Sequence, residues 1–64
     1  MFPPNTRFLI VDDFSTMRKI VKKILIEELG YKNVQEAFNG KHAWEVLIDN
    51  DNRGTPIEAT YLCT

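Results

Sequence analysis

Phe8-Leu9-Ile10-Val11-Asp12-Asp13 decides how this chain is read: four apolar residues stop at two adjacent carboxylates, and a helical pattern begins directly after them. An unbroken apolar run suits a parallel strand covered on both faces, and in open α/β sheets ligands bind just beyond the carboxyl ends of such strands. The run predicts a buried first strand over residues 7–12 that delivers Asp12 and Asp13 to a site. Two close carboxylates repel each other unless a cation joins them. Mg2+ is a hard ion that takes oxygen ligands, keeps several waters and commonly binds one or two protein carboxylates. Asp12 and Asp13 are therefore candidate Mg2+ ligands, although an isolated acidic pair more often just ends a strand and caps the next helix.

Outward from this run the pattern alternates between helix and strand. Phe14, Met17, Ile20, Val21, Ile24, Leu25 and Leu29 recur at spacings of three and four, with Arg18, Lys19, Lys22 and Lys23 on the other face. That is an amphipathic helix over residues 14–29. Ser15 or Thr16 can cap its start, and Gly30 suits the left-handed residue that ends it. Pro3 and Pro4 cannot donate to a ladder and fall before the first strand. Residues 34–38 have the mixed polarity of an edge strand, and Asn39-Gly40 turns into a second helix. Ala43, Trp44, Leu47 and Ile48 form the apolar stripe of that helix, which assigns Trp44 to the core. Residues 49–56 read as a polar loop and residues 57–64 as a third strand. Strand, helix, strand, helix, strand implies an α/β parallel sheet with right-handed crossovers. In the flavodoxin-like order 2-1-3-4-5 the acid pair lies in the crevice between the first and third strands.

The segment RFLIVDDFSTMR, followed by KIVKKIL, NVQEA and NGKHAWEVL, resembles the N-terminal half of a chemotaxis-type, CheY-like response-regulator receiver domain. The likeness is close over residues 7–48, ends at Glu58, and leaves 59–64 as a divergent tail, so residues 1–64 read as one partial receiver. The resemblance implies that Asp13 ligates Mg2+ directly and Asp12 acts through water. It also implies an acceptor aspartate at the end of the third strand, which attacks phosphorus while the cation offsets charge on the transferring oxygens. That position falls at about Cys63 or Thr64, neither of which carries a carboxylate side chain. Phosphorylation at the usual site is not expected. The tail alternates apolar and mixed residues where a central parallel strand should be apolar throughout. A frameshift or premature stop accounts for this better than a diverged or deliberately shortened protein.

Composition narrows the classes. Eight basic and nine acidic side chains give a net charge of −1, which offers no nucleic-acid or membrane surface. No apolar segment approaches the ~20 residues of a membrane span, and no signal-peptide layout opens the chain, so a cytoplasmic location is expected. A single cysteine, Cys63, excludes an internal disulfide. The rows Arg18/Lys22 and Lys19/Lys23 read as a solvated helix face, and His42 as a surface histidine without metal-ligand neighbours.

Three functions are compatible with these residues. The first is a receiver-type signal-transduction module of a two-component phosphorelay, not an enzyme, with a sensor histidine kinase or other receiver-binding protein as partner. The second is an interaction protein that pairs through an exposed third strand with itself or with an intact receiver. The third, a Mg2+-dependent phosphoryl-transfer enzyme, lacks a nucleophile. With two carboxylates from one strand end, Mg2+ binding should be weak, with the terminal carboxylate of Thr64 as a conceivable extra ligand. A domain of this size buries only about 60% of its unfolded surface. Without the remaining helices of a full receiver, some apolar surface of Phe8, Ile10, Val11 and Leu25 is expected in water, which favours self-association or else a loosely packed monomer.

Overall fold

The computed structural model describes residues 2–62, so the expectations attached to Cys63 and Thr64 lie outside the described residues. Its elements run β1 (Arg7–Val11), α1 (Ser15–Lys23) with a π-helical turn at Ile24–Glu28, β2 (Asn33–Ala37), α2 (Gly40–Asn52) and β3 (Ala59–Leu62). The three strands form one parallel sheet in the order β2-β1-β3. This is the flavodoxin-like α/β arrangement expected from the sequence, with β2 at an edge and β1 in the middle. Phe8 stands beside Val34 and Ala59, and Val11 beside Ala37 and Leu62.

β1 is central because its side chains tolerate cover on both faces. Leu9 and Ile10 are fully buried, and Phe8 and Val11 nearly so. This corrects the expectation that Phe8, Ile10 and Val11 would lie partly in water: two flanking strands and a helix on each face suffice to cover one short strand. Leu9, Val11 and Ala37 make a core with Ala43, Val46, Leu47 and Ile57 on the α2 side. On the α1 side Phe8 meets Tyr31 at 4.6 Å between ring centroids, and Phe2 edge-on at 5.4 Å.

The exposed apolar surface lies elsewhere. α1 has no fully buried residue, and Phe14 is 70% exposed. Arg18 and Lys22 of its basic face reach Glu36 of the sheet, while Phe14, Met17 and Ile20 of its apolar stripe are exposed. Trp44 is 65% exposed, contrary to its assignment to the core. The inward face of α2 is Ala43, Val46, Leu47 and Asn50, the i, i+3, i+4, i+7 set. Trp44 and Ile48 lie one residue further round at 100° per residue and face away.

Asn50 fixes which face of α2 turns inward. Buried, it exchanges amide hydrogen bonds with Gln35 of β2 at 2.9 and 3.0 Å and donates to the Val46 carbonyl at 2.8 Å. The polar run assigned to a loop therefore contributes the last turn of α2. Gly54, with φ +77°, closes it as Thr55 N–H donates to the Asn50 carbonyl at 2.9 Å. Gly30, also at φ +77°, ends the first helical segment as expected, with Tyr31 N–H bonded to the Leu25 carbonyl at 2.9 Å.

Candidate functional site

Asp12 and Asp13 leave the carboxyl end of β1 side by side, in different environments. Asp12 is buried with 2% of its surface exposed, while Asp13 is open to solvent. The Asp12 N–H extends the β1–β2 ladder by donating to the Ala37 carbonyl at 3.1 Å, and its Oδ1 accepts the Phe14 N–H at 2.9 Å. The cap expected from Ser15 or Thr16 is thus not the one used. Phe14 occupies the N-cap in extended conformation without a side-chain bond, and the carboxylate two residues earlier secures the turn. An Asp so placed makes an Asx-type turn, a stronger local acceptor than a hydroxyl.

Across from the pair lies the start of α2. The Asn39 side chain caps that helix by accepting the His42 N–H at 2.8 Å, while His42 Nδ1 accepts the Phe38 N–H at 3.2 Å. The Phe38 and His42 rings lie 4.3 Å apart between centroids, tilted by 40°. His42 is half-buried and has a structural task, where a plain surface histidine was expected. The signal was present as Asn39 followed three residues later by a side-chain acceptor, the spacing of a capping box. Together the two loops bound an open cleft of about 360 Å3, with Val11, Asp12, Asp13, Phe38, Asn39 and Leu62 in its wall. Leu62 comes from β3, so the cleft lies where the strand order reverses direction, the place an open α/β sheet offers a ligand.

The donor set for a cation is incomplete. Among the described residues no group of three or more His, Cys, Asp or Glu side chains converges, so Asp12 and Asp13 are two carboxylates without a third. Asp12 already spends one oxygen on the Phe14 N–H. That arrangement suits a Mg2+ ion that keeps most of its water, and not a tightly held one.

The basic rows of α1 are engaged more than a solvated face would be. Arg18 Nε lies 3.3 Å from Glu36 Oε1, and Lys22 Nζ 3.2 Å from Glu36 Oε2. Arg18 Nη1 also donates to the main-chain carbonyl of Asp12 at 2.6 Å. Burial alone pushes the Glu36 carboxyl up. The hydrogen bond and charge of Lys22, then those of Arg18, outweigh it and hold Glu36 below its ordinary value. Sequence reading missed this cluster because Glu36 belongs to another element, 14 and 18 residues away from its partners. Lys19 and Lys23 remain exposed, as expected.

No family model matches the chain, and no solved structure matches it. Curated proteins do. The chain is 53% identical over 47 residues to chemotaxis protein CheY-3 of Vibrio cholerae serotype O1, in two strains, covering 73% of this chain and 35% of that protein. It is 52% identical over 44 residues to chemotaxis protein CheY1 of Helicobacter pylori, covering 69% of this chain and 35% of that protein. The chain therefore spans about a third of the length of the curated relatives it matches. No helix among the described residues is long and apolar enough to cross a membrane. An all-parallel β2-β1-β3 sheet with the acid pair at the end of its middle strand, joined to more than half identity with two chemotaxis proteins over the matched residues, identifies this sequence as CheY-like receiver-domain sequence of the response-regulator family.

Proposed function

We propose that the chain is a receiver-type module of two-component, chemotaxis-class signalling that carries the acidic end of β1 and, within residues 1–64, no carboxylate side chain after Glu58. One observation carries this reading: both carboxylates stand at the carboxyl end of the central strand, in the cleft between the β1 and β2 turns. Asp12 and Asp13 are the proposed metal pair. They would hold a hydrated Mg2+, which when bound supplies positive charge to phosphoryl oxygens; Asp12 is fixed by the Phe14 N–H, and Asp13 is the more accessible of the two. The sequence has no carboxylate side chain after Glu58, so phosphoryl capture at the end of β3 is not available to these residues. The proposed setting is the cytoplasm, and the proposed partners are a sensor histidine kinase or another receiver-binding protein.

Two measurements test the reading. Titration with MgCl2 should move amide resonances of residues 11–15 weakly and without early saturation; no movement there would remove the metal pair. Incubation with Mg2+ and acetyl phosphate should leave the intact mass unchanged, and a stable gain of one phosphoryl group would overturn the acceptor-less assignment.

A second reading, self-association through β3, is favoured by one further observation. The outer edge of Ala59–Leu62 pairs with no strand among the described residues, and Tyr61 and Leu62 are 47% and 66% exposed. An open, uncharged edge is a template for another strand. A two-fold pairing of β3 with its copy would close it. Light scattering that reports a strict monomer at high concentration, with well-protected amides in β3, would defeat this reading.

A further inference from the structure

Among the described residues, Arg18 ties α1 to both the end of β1 and β2 at the acidic turn. It leaves the first turn of α1 and runs back beneath the end of β1, where its side chain is only 17% exposed. Nη1 donates to the Asp12 carbonyl at 2.6 Å, and Nε meets Glu36 of β2 at 3.3 Å. The other Glu36 oxygen is held by Lys22 at 3.2 Å, one helical turn further along α1. The Asp12 peptide is thereby fixed from both ends. Its N–H is in the β2 ladder, its carbonyl is on the guanidinium, and its carboxylate is on the Phe14 N–H. A planar guanidinium donates in two fixed directions at once, which a single ammonium head reproduces poorly. The carbonyl it holds belongs to the peptide bond between Asp12 and Asp13, so the same contact orients both carboxylates.

We infer that Arg18 is a positioning residue for the acid pair: its fork to the Asp12 carbonyl and Glu36 locks the β1–α1 turn in the form that presents Asp12 and Asp13 together. The metal half of this inference rests on the reading proposed above; the turn-locking half does not. Charge alone predicts the opposite of positioning. A cation beside a cation site repels the ion, so removing Arg18 should tighten Mg2+ binding by Coulomb's law. Loss of a contact that orients a ligand weakens metal binding, by roughly tenfold or more.

The test compares Arg18→Met, which keeps the stem and removes both donors and the charge, with Arg18→Lys and with Glu36→Gln. Amide exchange of Phe14 is measured against that of Ala43, whose bond to the Asn39 carbonyl at 2.9 Å lies outside the cluster and reports general loosening. Arg18→Met should raise the Phe14-to-Ala43 exchange ratio by about tenfold, with Arg18→Lys and Glu36→Gln in between. Mg2+ titration of the same variants should show weaker shifts at residues 11–15 in Arg18→Met than in the unaltered chain. An unchanged exchange ratio in Arg18→Met overturns the inference, and so does tighter Mg2+ binding. If the unaltered chain shows no Mg2+ shifts, the metal pair falls, and the exchange ratio alone decides the role of Arg18. If Arg18→Met does not fold, the ratio in Arg18→Lys, which keeps the charge and loses the two-directional fork, decides in the same way.

Discussion

The sheet has two edges, built from unlike material. β2, Asn33–Ala37, carries Asn, Gln and Glu, and its polar groups are spoken for: Gln35 with Asn50, Glu36 with Arg18 and Lys22. β3, Ala59–Leu62, carries no charge, and three of its four residues are exposed. Both pair in register with the same strand, so the difference is not one of hydrogen bonding to β1. It lies in what guards the far side. A charged, ion-paired edge resists addition of another strand, whereas a short uncharged edge with exposed Tyr61 and Leu62 invites it. Pairing to β1 therefore does not by itself finish a strand.

The sharpest way to break this comparison is to remove what the edges share. Leu9 is fully buried between them, and Leu9→Ala should cost about 2–5 kcal/mol, a large part of what a domain of this size commands. Leu62→Ala, at the exposed edge, should change monomer stability by no more than about 0.5 kcal/mol. Chemical denaturation of both variants checks the pair, and equal losses would mean that β3 is as well packed as β1.

A smaller effect is expected at the open edge. Tyr61→Lys gives β3 the charge that β2 already has. It should weaken self-association roughly tenfold, or ~1.4 kcal/mol, with little effect on the fold. Sedimentation at several concentrations reads the change directly, and an unaltered association constant would place the contact between copies elsewhere.

The smallest effect belongs to the guarded edge. Glu36→Gln removes partly exposed ion pairs and should cost only about 0.5–1 kcal/mol at neutral pH. The sign with acid follows from the lowered carboxyl of Glu36. Its contribution is present above the ordinary value of 4.5 and disappears as pH falls through the lower folded-state value. Thermal melts of both proteins should thus differ at pH 7 and converge in acid; a constant gap would show that the cluster does not titrate with folding.

Much of this was legible in the chain. Phe8 to Val11 could only be an inner strand, and the stop at Asp12 placed the acid pair without further information. Gly30 marked its helix end because a positive φ is costly for other residues. What escaped were choices made by tertiary contact. Trp44 and Leu47 are both apolar, and the inward side of α2 is marked by tertiary partners: the Gln35–Asn50 bonds and the packing of Ala43, Val46 and Leu47 on the core. Ser15 and Thr16 are good caps in isolation, but α1 begins one residue too early for them, with Phe14 at the N-cap and the turn secured by Asp12 on the Phe14 N–H. Arg18, Lys22 and Glu36 carry no mark in sequence that they meet, because charged residues on a helix face are usually solvated.

The wide turn at Ile24–Glu28 bears on how the chain tolerates changes in length. A π-helical turn holds one residue more than an α-helical turn, as the Leu29 N–H to Ile24 carbonyl bond at 3.0 Å records. That extra residue rotates everything after it by about 100° relative to an unbroken helix. Leu29 is carried into solvent, and Tyr31 arrives against Phe8. Such a turn is a stored insertion. Deleting one residue between 24 and 28 would let the segment relax into regular helix, with the slack taken up before Gly30. A deletion within Ser15–Lys23 would instead rotate Arg18 and Lys22 away from Glu36. The far end of the helix is thus where this fold can lose a residue without disturbing the acidic turn at its near end.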